Sequence, residues 1–261
     1  MISFSSLIGI VLSVAILAFS LHHETDDWSV YLSLPSFLIV FGGCVTVTLI
    51  GYRTKYAAGA LLALLKIYMH QPITPKSLRN DVKNMSDWSR KVQDEGNTAF
   101  DALSKEAKDG FMQYIFQLAS TGYQPDDLRN FGSTNIEEHY FRRLQESHIL
   151  NSMGSNAPAL GLVGTLLGLI TMLGKLSDPS KLGPGLALAL TATLYGLLFA
   201  RFFFLPGAAK AKQILSIERF RHYLILEGVI LLVERRPAMY VQDRLNSFLD
   251  RKNQYSPSDK K

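Results

Sequence analysis

The chain has 261 residues, of which 48% are hydrophobic and 19% are charged, and its mean hydropathy is +0.11. This composition is too apolar for an ordinary soluble domain of this length and indicates a protein with several membrane spans. The net charge of +5 arises from basic residues interleaved with nearly as many acidic ones. Positive-inside topology explains this excess better than nucleic-acid binding, so no nucleic-acid partner is predicted.

Two apolar stretches near the N-terminus predict a first pair of membrane helices within residues 1–51. Residues 2–21 and residues 31–51 carry no charge, and each stretch is long enough to cross the hydrocarbon core as a helix. The loop between them lacks lysine and arginine, whereas basic residues follow the second stretch. The positive-inside rule therefore predicts a cytoplasmic N-terminus and a short periplasmic loop. The only cysteine, Cys44, is interpreted as a small packing residue.

Residues 52–148 are rich in lysine and arginine and predict a helical cytoplasmic domain. The first segment of this domain, residues 57–69, is apolar but too short for a span, so we expect an interfacial or buried helix there. The remainder is predicted as short amphipathic helices that break at residues 94–97, at Gly122 and at Gly132. The last of these helices is expected to begin near Asn135 and to run into the next span.

Residues 149–207 contain two more apolar runs, joined by the polar link GKLSDPSKLG, and predict the third and fourth spans. Arg201 is the only charged residue within a predicted span. Intramembrane charges are functional candidates by default, but Arg201 lies close enough to the inner interface to extend its guanidinium into water. A role for Arg201 in gating or lipid contact is the alternative.

Small residues recur at three- and four-residue spacing in both of these runs, with one threonine on each small-residue face. They are Gly161, Gly164, Thr165 and Gly168 in the third span, and Ala189, Thr193, Gly196 and Ala200 in the fourth. Such faces allow helices to approach closely. The two hydroxyls either bond to backbone within a packed contact or line a polar path, and the spacing leaves both uses open.

Residues 208–261 are charged at helical intervals and predict cytoplasmic C-terminal helices. Pro237 is expected to start the final helix, and the polar tail NQYSPSDKK is predicted to be disordered. The basic C-terminal region places both termini in the cytoplasm, a topology that four spans satisfy. The predicted fold class is an all-α membrane protein with four transmembrane helices and a helical cytoplasmic domain.

The sequence lacks the motifs that would mark an enzyme. It contains no nucleotide-binding loop, no metal-binding residue pair on a helix, and no nucleophile with a plausible base partner, so neither catalysis nor a cofactor or metal is predicted. None of the four predicted spans contains Asp, Glu or His, although cation transport through hydrocarbon usually needs an ionisable group. If the chain forms part of an ion pathway, a partner must supply the carboxylate.

Four segments, in chain order, carry a family resemblance: PSFLIVFGG, APALGLVGTLLGL, LSDPSKLGPGLALALTATLYG and LEGVILLVERRP. The chain resembles the MotA/PomA family, the ion-channel subunits of the bacterial flagellar stator. The third-span segment is also similar in TolQ and ExbB, which belong to the same superfamily. The LYG segment, the glycine pair of the second span and the tail segment favour the stator branch.

The resemblance implies an inner-membrane subunit that forms a homo-pentameric ring around a MotB/PomB-like single-span partner, which carries the membrane aspartate. Proton or sodium flow through this complex would drive rotation, and the cytoplasmic domain would pass torque to the flagellar rotor switch protein. The ring would be surrounded by membrane lipid. An energiser of the TolQ/ExbB kind, driving another envelope or defence process, is the nearest alternative, and a purely structural membrane scaffold is a second one.

By matching motif positions, Thr165 and Thr193 correspond to hydroxyls near the ion site of the sodium type. Ala192 replaces a threonine often found beside the latter, which weakens a sodium assignment. Pro158 and Pro206 correspond to prolines that couple ion flow to movement of the cytoplasmic domain, with simple helix kinks or ends as the alternative.

The resemblance also extends to charged residues of the cytoplasmic domain. Arg90 and Lys91 match the basic pair that meets the rotor, and Asp101 and Glu106 are rival candidates for the acidic position that follows. Sequence physics alone favours an ordinary solvated face for all four residues.

Overall fold

The computed structural model describes residues 4–24, 31–69, 73–107, 109–178 and 182–256. No strand occurs in these ranges, which confirms the predicted all-α class. Residues 25–30 of the predicted periplasmic loop and residues 257–261 of the predicted tail lie outside the described residues. The helices are, in chain order, α1 (Phe4–Glu24), α2 (Leu34–Phe37), α3 (Gly43–Gly51), α4 (Thr54–Met69), α5 (Pro75–Glu95), α6 (Thr98–Glu106), α7 (Gly110–Ser120), α8 (Pro125–Leu173), α9 (Leu182–Leu198), α10 (Leu205–Val233) and α11 (Ala238–Asn246).

Three of the described helical segments are long and apolar enough to cross a membrane. The first, Leu34–Gly51, joins α2 to α3 through the π-helical turn Leu38–Gly42; the second is α8, and the third runs from Leu182 to Val233. A shorter apolar segment, Val11–Ser20, lies within α1. The predicted first span therefore stays a prediction, while the second, third and fourth each fall on a helix of sufficient length.

The chain forms two compact units. One unit, here the membrane unit, comprises Met1–Gln71 and Arg143–Gln213; the other, here the charged unit, comprises Pro72–Arg142 and Ile214–Lys261. These limits differ from the sequence boundaries at residues 52 and 148, because α4 belongs to the membrane unit, where its Ala57 and Ala60 are buried.

The membrane unit contains few large buried side chains, because its helices meet largely through small residues. Ala60, Ala157 and Ala192 are fully buried in it, together with larger side chains such as Phe204 and Met153. Many of its leucine, isoleucine and valine side chains are exposed along α3, α8 and α9. An apolar surface of this kind is expected of helices that contact lipid.

The charged unit has its own hydrophobic core, built by α5, α6, α7 and α11 with parts of α8 and α10. Phe100, Phe116, Met85, Ile115 and Leu224 are among its fully buried side chains. Removing such side chains from water contributes about 1.5–3 kcal/mol each before the opposing loss of conformational entropy. A core of this kind resembles that of a soluble helical domain.

Local sequence signals set several of the helix ends in this unit. Thr74 caps α5 by accepting a hydrogen bond from the backbone N–H of Ser77, and Pro75 occupies the first helical position. Helix α5 ends at Gly96, whose φ of 69° favours glycine, and the turn after α7 contains Gly122 with φ of 84°. The predicted breaks at residues 94–97 and at Gly122 are confirmed.

The predicted break at Gly132 and the predicted start near Asn135 are wrong. Helix α8 begins at Pro125 and continues through Gly132 as one helix. Gly132 is buried, and a Cβ atom there would collide with the side chain of Leu226 on α10. The glycine therefore serves close packing between two helices rather than a turn.

The carboxylate of Glu227, within the segment LEGVILLVERRP, is buried in the charged unit. Its two oxygens accept hydrogen bonds from Arg129 of α8 and Arg244 of α11, each at 3.0 Å. Both arginine side chains are exposed to about half of their surface, and the buried carboxylate joins α8, α10 and α11.

Candidate ion pathway

Helices α8 and α9 are in backbone contact along their glycine-bearing faces. A Cβ atom built on Gly168 would lie 2.6 Å from the carbonyl oxygen of Gly185, which leaves no room for any side chain. The same crowding, with a Cβ less than 3.0 Å from the facing helix, holds for all of the glycines predicted to form packing faces: Gly161, Gly164, Gly168 and Gly196. Backbones that approach this closely bring side chains on the same faces into direct contact.

The two threonines of these faces meet at the α8–α9 contact. The hydroxyls of Thr165 and Thr193 are hydrogen-bonded to each other. Thr165 Oγ1 also lies 3.1 Å from the carbonyl oxygens of Gly161 and Ala189, and Thr193 Oγ1 lies 3.4 Å from the latter. Two hydroxyl and two carbonyl oxygens thus converge, with Thr165 half-buried and Thr193 exposed.

This oxygen cluster has the chemistry of a partial cation site. Two hydroxyl hydrogens cannot satisfy every oxygen in the cluster at once, so lone pairs remain for a ligand. Hydroxyl and carbonyl oxygens are ligands that hard cations accept, but neutral oxygens alone do not offset the dehydration of a cation in hydrocarbon. The same contacts also stabilise helix packing, so the geometry is compatible with both uses of the two hydroxyls.

The two proline positions lie in α8 and α10. Pro158 lies inside α8 without interrupting it, and a Cβ atom on Gly196 would be 3.2 Å from its Cα atom. Pro206 is the second residue of α10 and follows the π-helical turn Phe199–Phe204. Because a proline ring collides with the carbonyl group four residues earlier in a regular helix, the wider turn accommodates it. Arg201 is exposed within that turn.

The charged residues implied by the resemblance lie on two consecutive helices of the charged unit. Arg90 is exposed and Lys91 is half-buried on α5, while Asp101 and Glu106 are both exposed on α6. Exposure therefore does not distinguish the two rival acidic residues. Across the described ranges, His, Cys, Asp and Glu side chains form no group of three that would hold a metal ion.

Sequence reasoning missed a second hydroxyl cluster, between α2 and α9. Ser36 Oγ lies 2.7 Å from Thr191 Oγ1, and Tyr195 donates its phenol hydrogen to the carbonyl oxygen of Tyr31 at 2.6 Å. The only signal in the sequence was that Thr191 and Tyr195 lie on a predicted span, where polar side chains need partners. Nothing in the spacing pointed to Ser36 as that partner.

These features define a multi-span helical membrane protein whose last two apolar helices share a tight, hydroxyl-bearing contact. Comparison with known proteins narrows the class. Residues 103–221 match the model of the MotA/TolQ/ExbB proton channel family. The chain is 30% identical over 220 residues to the chemotaxis protein PomA of Vibrio alginolyticus, covering 84% of this chain and 85% of that one. It is 34% identical over 200 residues to the uncharacterized protein YtxD of Bacillus subtilis, and the match covers 77% of this chain and 72% of YtxD.

Two solved structures share the fold. The C. jejuni MotAB structure aligns with a TM-score of 0.88 at 20% identity, covering 98% of this chain and 99% of that one. The flagellar MotAB stator complex of Bacillus subtilis aligns with a TM-score of 0.85 at 23% identity, covering 95% and 96%. The chain belongs to the MotA/TolQ/ExbB proton channel family, and its relatives mark it as a MotA-type stator subunit in a membrane.

Proposed function

We propose that the chain is the channel-forming stator subunit of a flagellar motor, which converts cation flow into torque together with a MotB-like single-span partner. The observation that carries the proposal is the convergence of the Thr165 and Thr193 hydroxyls on spans that contain no Asp, Glu or His. An oxygen-lined path without a charge of its own requires a carboxylate from elsewhere. The relatives include a chemotaxis protein and a motility protein, and the structural neighbours are MotAB complexes.

The proposed assembly is a homo-pentameric ring in the inner membrane around a dimer of the partner, with both termini of each subunit in the cytoplasm and lipid around the ring. In this arrangement Thr193, exposed on the isolated subunit, would face the partner's membrane aspartate. The exposed aliphatic side chains of α8 and α9 supply apolar surface for neighbouring subunits and lipid. No cofactor, enzymatic activity or nucleic-acid partner is proposed.

Torque would pass from the ring to the rotor switch protein through the exposed charges of α5 and α6. Arg90 and Lys91 supply the basic side of this proposed contact, and either Asp101 or Glu106 supplies the acidic side. Pro158 and Pro206 are proposed to couple ion passage to movement, because a proline has no backbone N–H to donate and so weakens the hydrogen bonding of its helix locally.

A TolQ/ExbB-like energiser would use the same membrane chemistry to drive a process other than flagellar rotation. Of the two relatives compared above, PomA carries a chemotaxis name, which favours the flagellar function. Copurification distinguishes the two functions: a partner with one span and a peptidoglycan-binding domain supports the stator, whereas a TonB-like partner supports the energiser.

The decisive experiment is ion flux into vesicles containing the purified chain, alone and with a MotB-type partner. We expect flux only in the presence of the partner, and loss of flux when the partner's membrane aspartate is replaced by asparagine. Robust proton or sodium flux through the chain alone would contradict the proposal, because it would show that the pathway needs no external carboxylate.

A further inference from the structure

We propose that a hydroxyl network between α2 and α9 sets the rotation of α9 about its axis and thereby positions Thr193 at the ion pathway. The inference rests on the proposed function, since it assigns the network a role through Thr193. The residues of the network are positioning residues that act through α9 and do not touch the ion. They are Tyr31, Ser33, Ser36, Thr191 and Tyr195.

Hydrogen bonds link these residues continuously across the two helices. Ser36 Oγ lies 2.7 Å from Thr191 Oγ1 and donates to Ser33 Oγ at 2.9 Å. Tyr195 accepts a hydrogen bond from the backbone N–H of Ser33 at 3.2 Å and donates to the carbonyl oxygen of Tyr31. Thr191 Oγ1 also lies 2.7 Å from the carbonyl oxygen of Ala187, so either hydroxyl of the Ser36–Thr191 pair can be the donor. Ser33, at the end of this series of hydrogen bonds, caps α2.

Two of the hydroxyl-bearing side chains are buried. Ser36 is 0% exposed and Thr191 is 6% exposed. Thr191 Oγ1 keeps its partner in its own helix, the carbonyl oxygen of Ala187 at 2.7 Å, when α9 rotates. The cost of rotation is therefore the lost interhelical bond, about 1 kcal/mol within a membrane. The paired orientation of α2 and α9 is therefore favoured over rotated alternatives.

An open groove of about 520 Å³ borders this contact, lined by residues that include Ser33, Pro35, Pro184 and Thr191. The hydrogen bonds between Ser36 and Thr191 and between Tyr195 and Tyr31 add a preferred direction to the packing of the two segments, because a hydrogen bond depends on the orientation of its donor and acceptor.

The consequence for the ion pathway follows from helix geometry. Thr191 and Thr193 are two residues apart, which is about 200° around a helix, so they face opposite sides of α9. Thr191 bonds to α2, and Thr193 bonds to Thr165 on α8. A rotation of α9 that breaks the first contact also moves the Thr193 hydroxyl away from Thr165. The network lies on the side of α9 opposite Thr193, and it therefore stabilises the oxygen cluster that Thr165 and Thr193 form.

The test uses the chain assembled with its MotB-type partner and measures flux against the concentration of the cation that the wild type uses. Thr191→Val keeps the shape of the side chain and removes its hydroxyl. We expect the half-saturating cation concentration to rise about threefold to tenfold, the range that interhelical hydrogen bonds in membranes reach, with the limiting flux little changed. Thr191→Ser should restore the wild-type value, which loss of packing alone would not explain.

Thr171→Val is the matched control. Thr171 is an exposed threonine of α8 whose hydroxyl donates only to the carbonyl oxygen of Leu167 in its own helix, at 2.8 Å. The same substitution there should leave the half-saturating concentration unchanged. An equal effect at both positions would overturn the proposal, because any hydroxyl of a span would then produce it.

A double-mutant cycle tests whether Ser36 and Thr191 act through one bond. Ser36→Ala and Thr191→Val should each raise the half-saturating concentration, and the double variant should resemble the single ones rather than add them. Additive effects, or an unchanged concentration in assembled variants, overturn the proposal. Should Thr191→Val fail to assemble, Tyr195→Phe, which removes only the phenol oxygen, must raise the same quantity. If the wild-type complex shows no flux, the proposed function itself is contradicted. This outcome distinguishes a failure of the proposed function from a failure of the role proposed for the network.

Discussion

The guanidinium of Arg221 donates to both carboxylate oxygens of Asp81, with Nε 2.7 Å from Oδ2 and Nη2 3.3 Å from Oδ1. The same guanidinium reaches Asp109 at 2.6 Å, whose other oxygen caps α7. Burial raises the pKa of Asp81 despite its guanidinium partner. Burial also acts to raise the pKa of Asp109, but the backbone N–H of Met112 and the guanidinium outweigh it and hold that pKa below its usual value. Arg221 thus joins α5, α7 and α10 through charges outside the membrane-spanning segments.

Replacing Arg221 should unfold the charged unit more easily than replacing any exposed arginine. Arg221→Met leaves two partly buried carboxylates facing each other, which should cost about 3 kcal/mol of unfolding free energy. Denaturant unfolding followed by the fluorescence of Trp88, which packs against Phe116 in this unit, measures the loss. Arg142→Met is the control, because its contact with Glu138 is 3.8 Å long and exposed, and it should change stability by less than about 0.5 kcal/mol. Equal losses in the two variants would contradict this account.

Stability of the charged unit should also depend on pH through His222. This imidazole is buried and stacked on Phe111 with ring centroids 4.6 Å apart. Desolvation lowers its pKa, assisted by Arg221 and His139 and opposed by Asp109 and Glu218. Since the unfolded histidine takes up a proton near pH 6.5 and the folded one resists it, the stabilisation is complete above that pH and is lost as the pH falls below it.

Unfolding free energy measured between pH 7.5 and 5.5 checks this prediction, with those two values marking roughly one unit either side of the free imidazole pKa. We expect stability to fall across this interval in the wild type and His222→Phe to flatten the fall. The same substitution at His148, an exposed residue, should leave the slope as it is. Identical slopes in the wild type and His222→Phe would assign the pH dependence to other groups.

The parts of the site that the sequence revealed are those governed by helical periodicity. The glycine and threonine spacing in the third and fourth spans requires only the helix repeat to place Thr165 and Thr193 on facing strips. The contacts between Ser36 and Thr191 and between Arg221 and Asp81 join residues 155 and 140 positions apart. No periodic pattern connects such distant positions, so only the folded arrangement reveals them.

At Gly132, the local sequence signal for a helix break led to a wrong prediction. Glycine weakens an isolated helix by about 1 kcal/mol, which made a break there the natural prediction. In the folded chain, the absence of a side chain lets Leu226 pack directly against α8, and burial of that leucine offsets the weak helix propensity. By contrast, Gly96 and Gly122 adopt positive φ values, and the local signal sufficed at both.

Adding one methyl group at the α8–α9 contact should disrupt the membrane unit. In Gly168→Ala the new Cβ would lie 2.6 Å from the carbonyl oxygen of Gly185 and 2.7 Å from the backbone nitrogen of Ala189, and neither backbone can yield without moving a helix. We expect a loss of assembled complex on size-exclusion chromatography and a loss of motility. Gly183→Ala is the matched control, since nothing lies within 4 Å of a Cβ there. Normal assembly of Gly168→Ala would show that this contact is loose.

Charge reversal on α5 tests the proposed rotor contact. Arg90→Glu combined with Lys91→Glu should reduce torque while assembly and ion flux persist, because Arg90 is exposed and Lys91 is only half-buried, and charges in contact with water contribute little to folding. Arg251 and Lys252 form a second adjacent basic pair, exposed in the same unit, and their reversal should leave torque unchanged. Tethered-cell rotation measures both variants. Full torque in the first variant, or the same loss in the second, would remove the special role of the α5 pair.

The two rival acidic residues can be separated by the same assay. Asp101→Lys and Glu106→Lys place the same new charge at two exposed positions of α6. We expect the residue that meets the rotor to lose torque on reversal and the other to retain it. Torque loss of equal size at both positions would indicate a diffuse electrostatic contact rather than one specific residue.

Substitution of the two threonines of the α8–α9 contact tests which cation is the coupling ion. If sodium is the ion, Thr165 and Thr193 replace part of its water shell, and removing one well-placed oxygen should weaken sodium use by about 1–3 kcal/mol, or roughly five- to 150-fold. Thr193→Ala and Thr165→Ala should then raise the sodium concentration for half-maximal rotation by that factor. If a proton is the ion, no such shell is needed, rotation should follow pH and ignore sodium, and the same changes should act only through packing of the hydrogen-bonded pair. Rotation speed measured against sodium at fixed pH and membrane potential separates these outcomes, and a flat response of the wild type would remove the sodium-ligand role from both threonines.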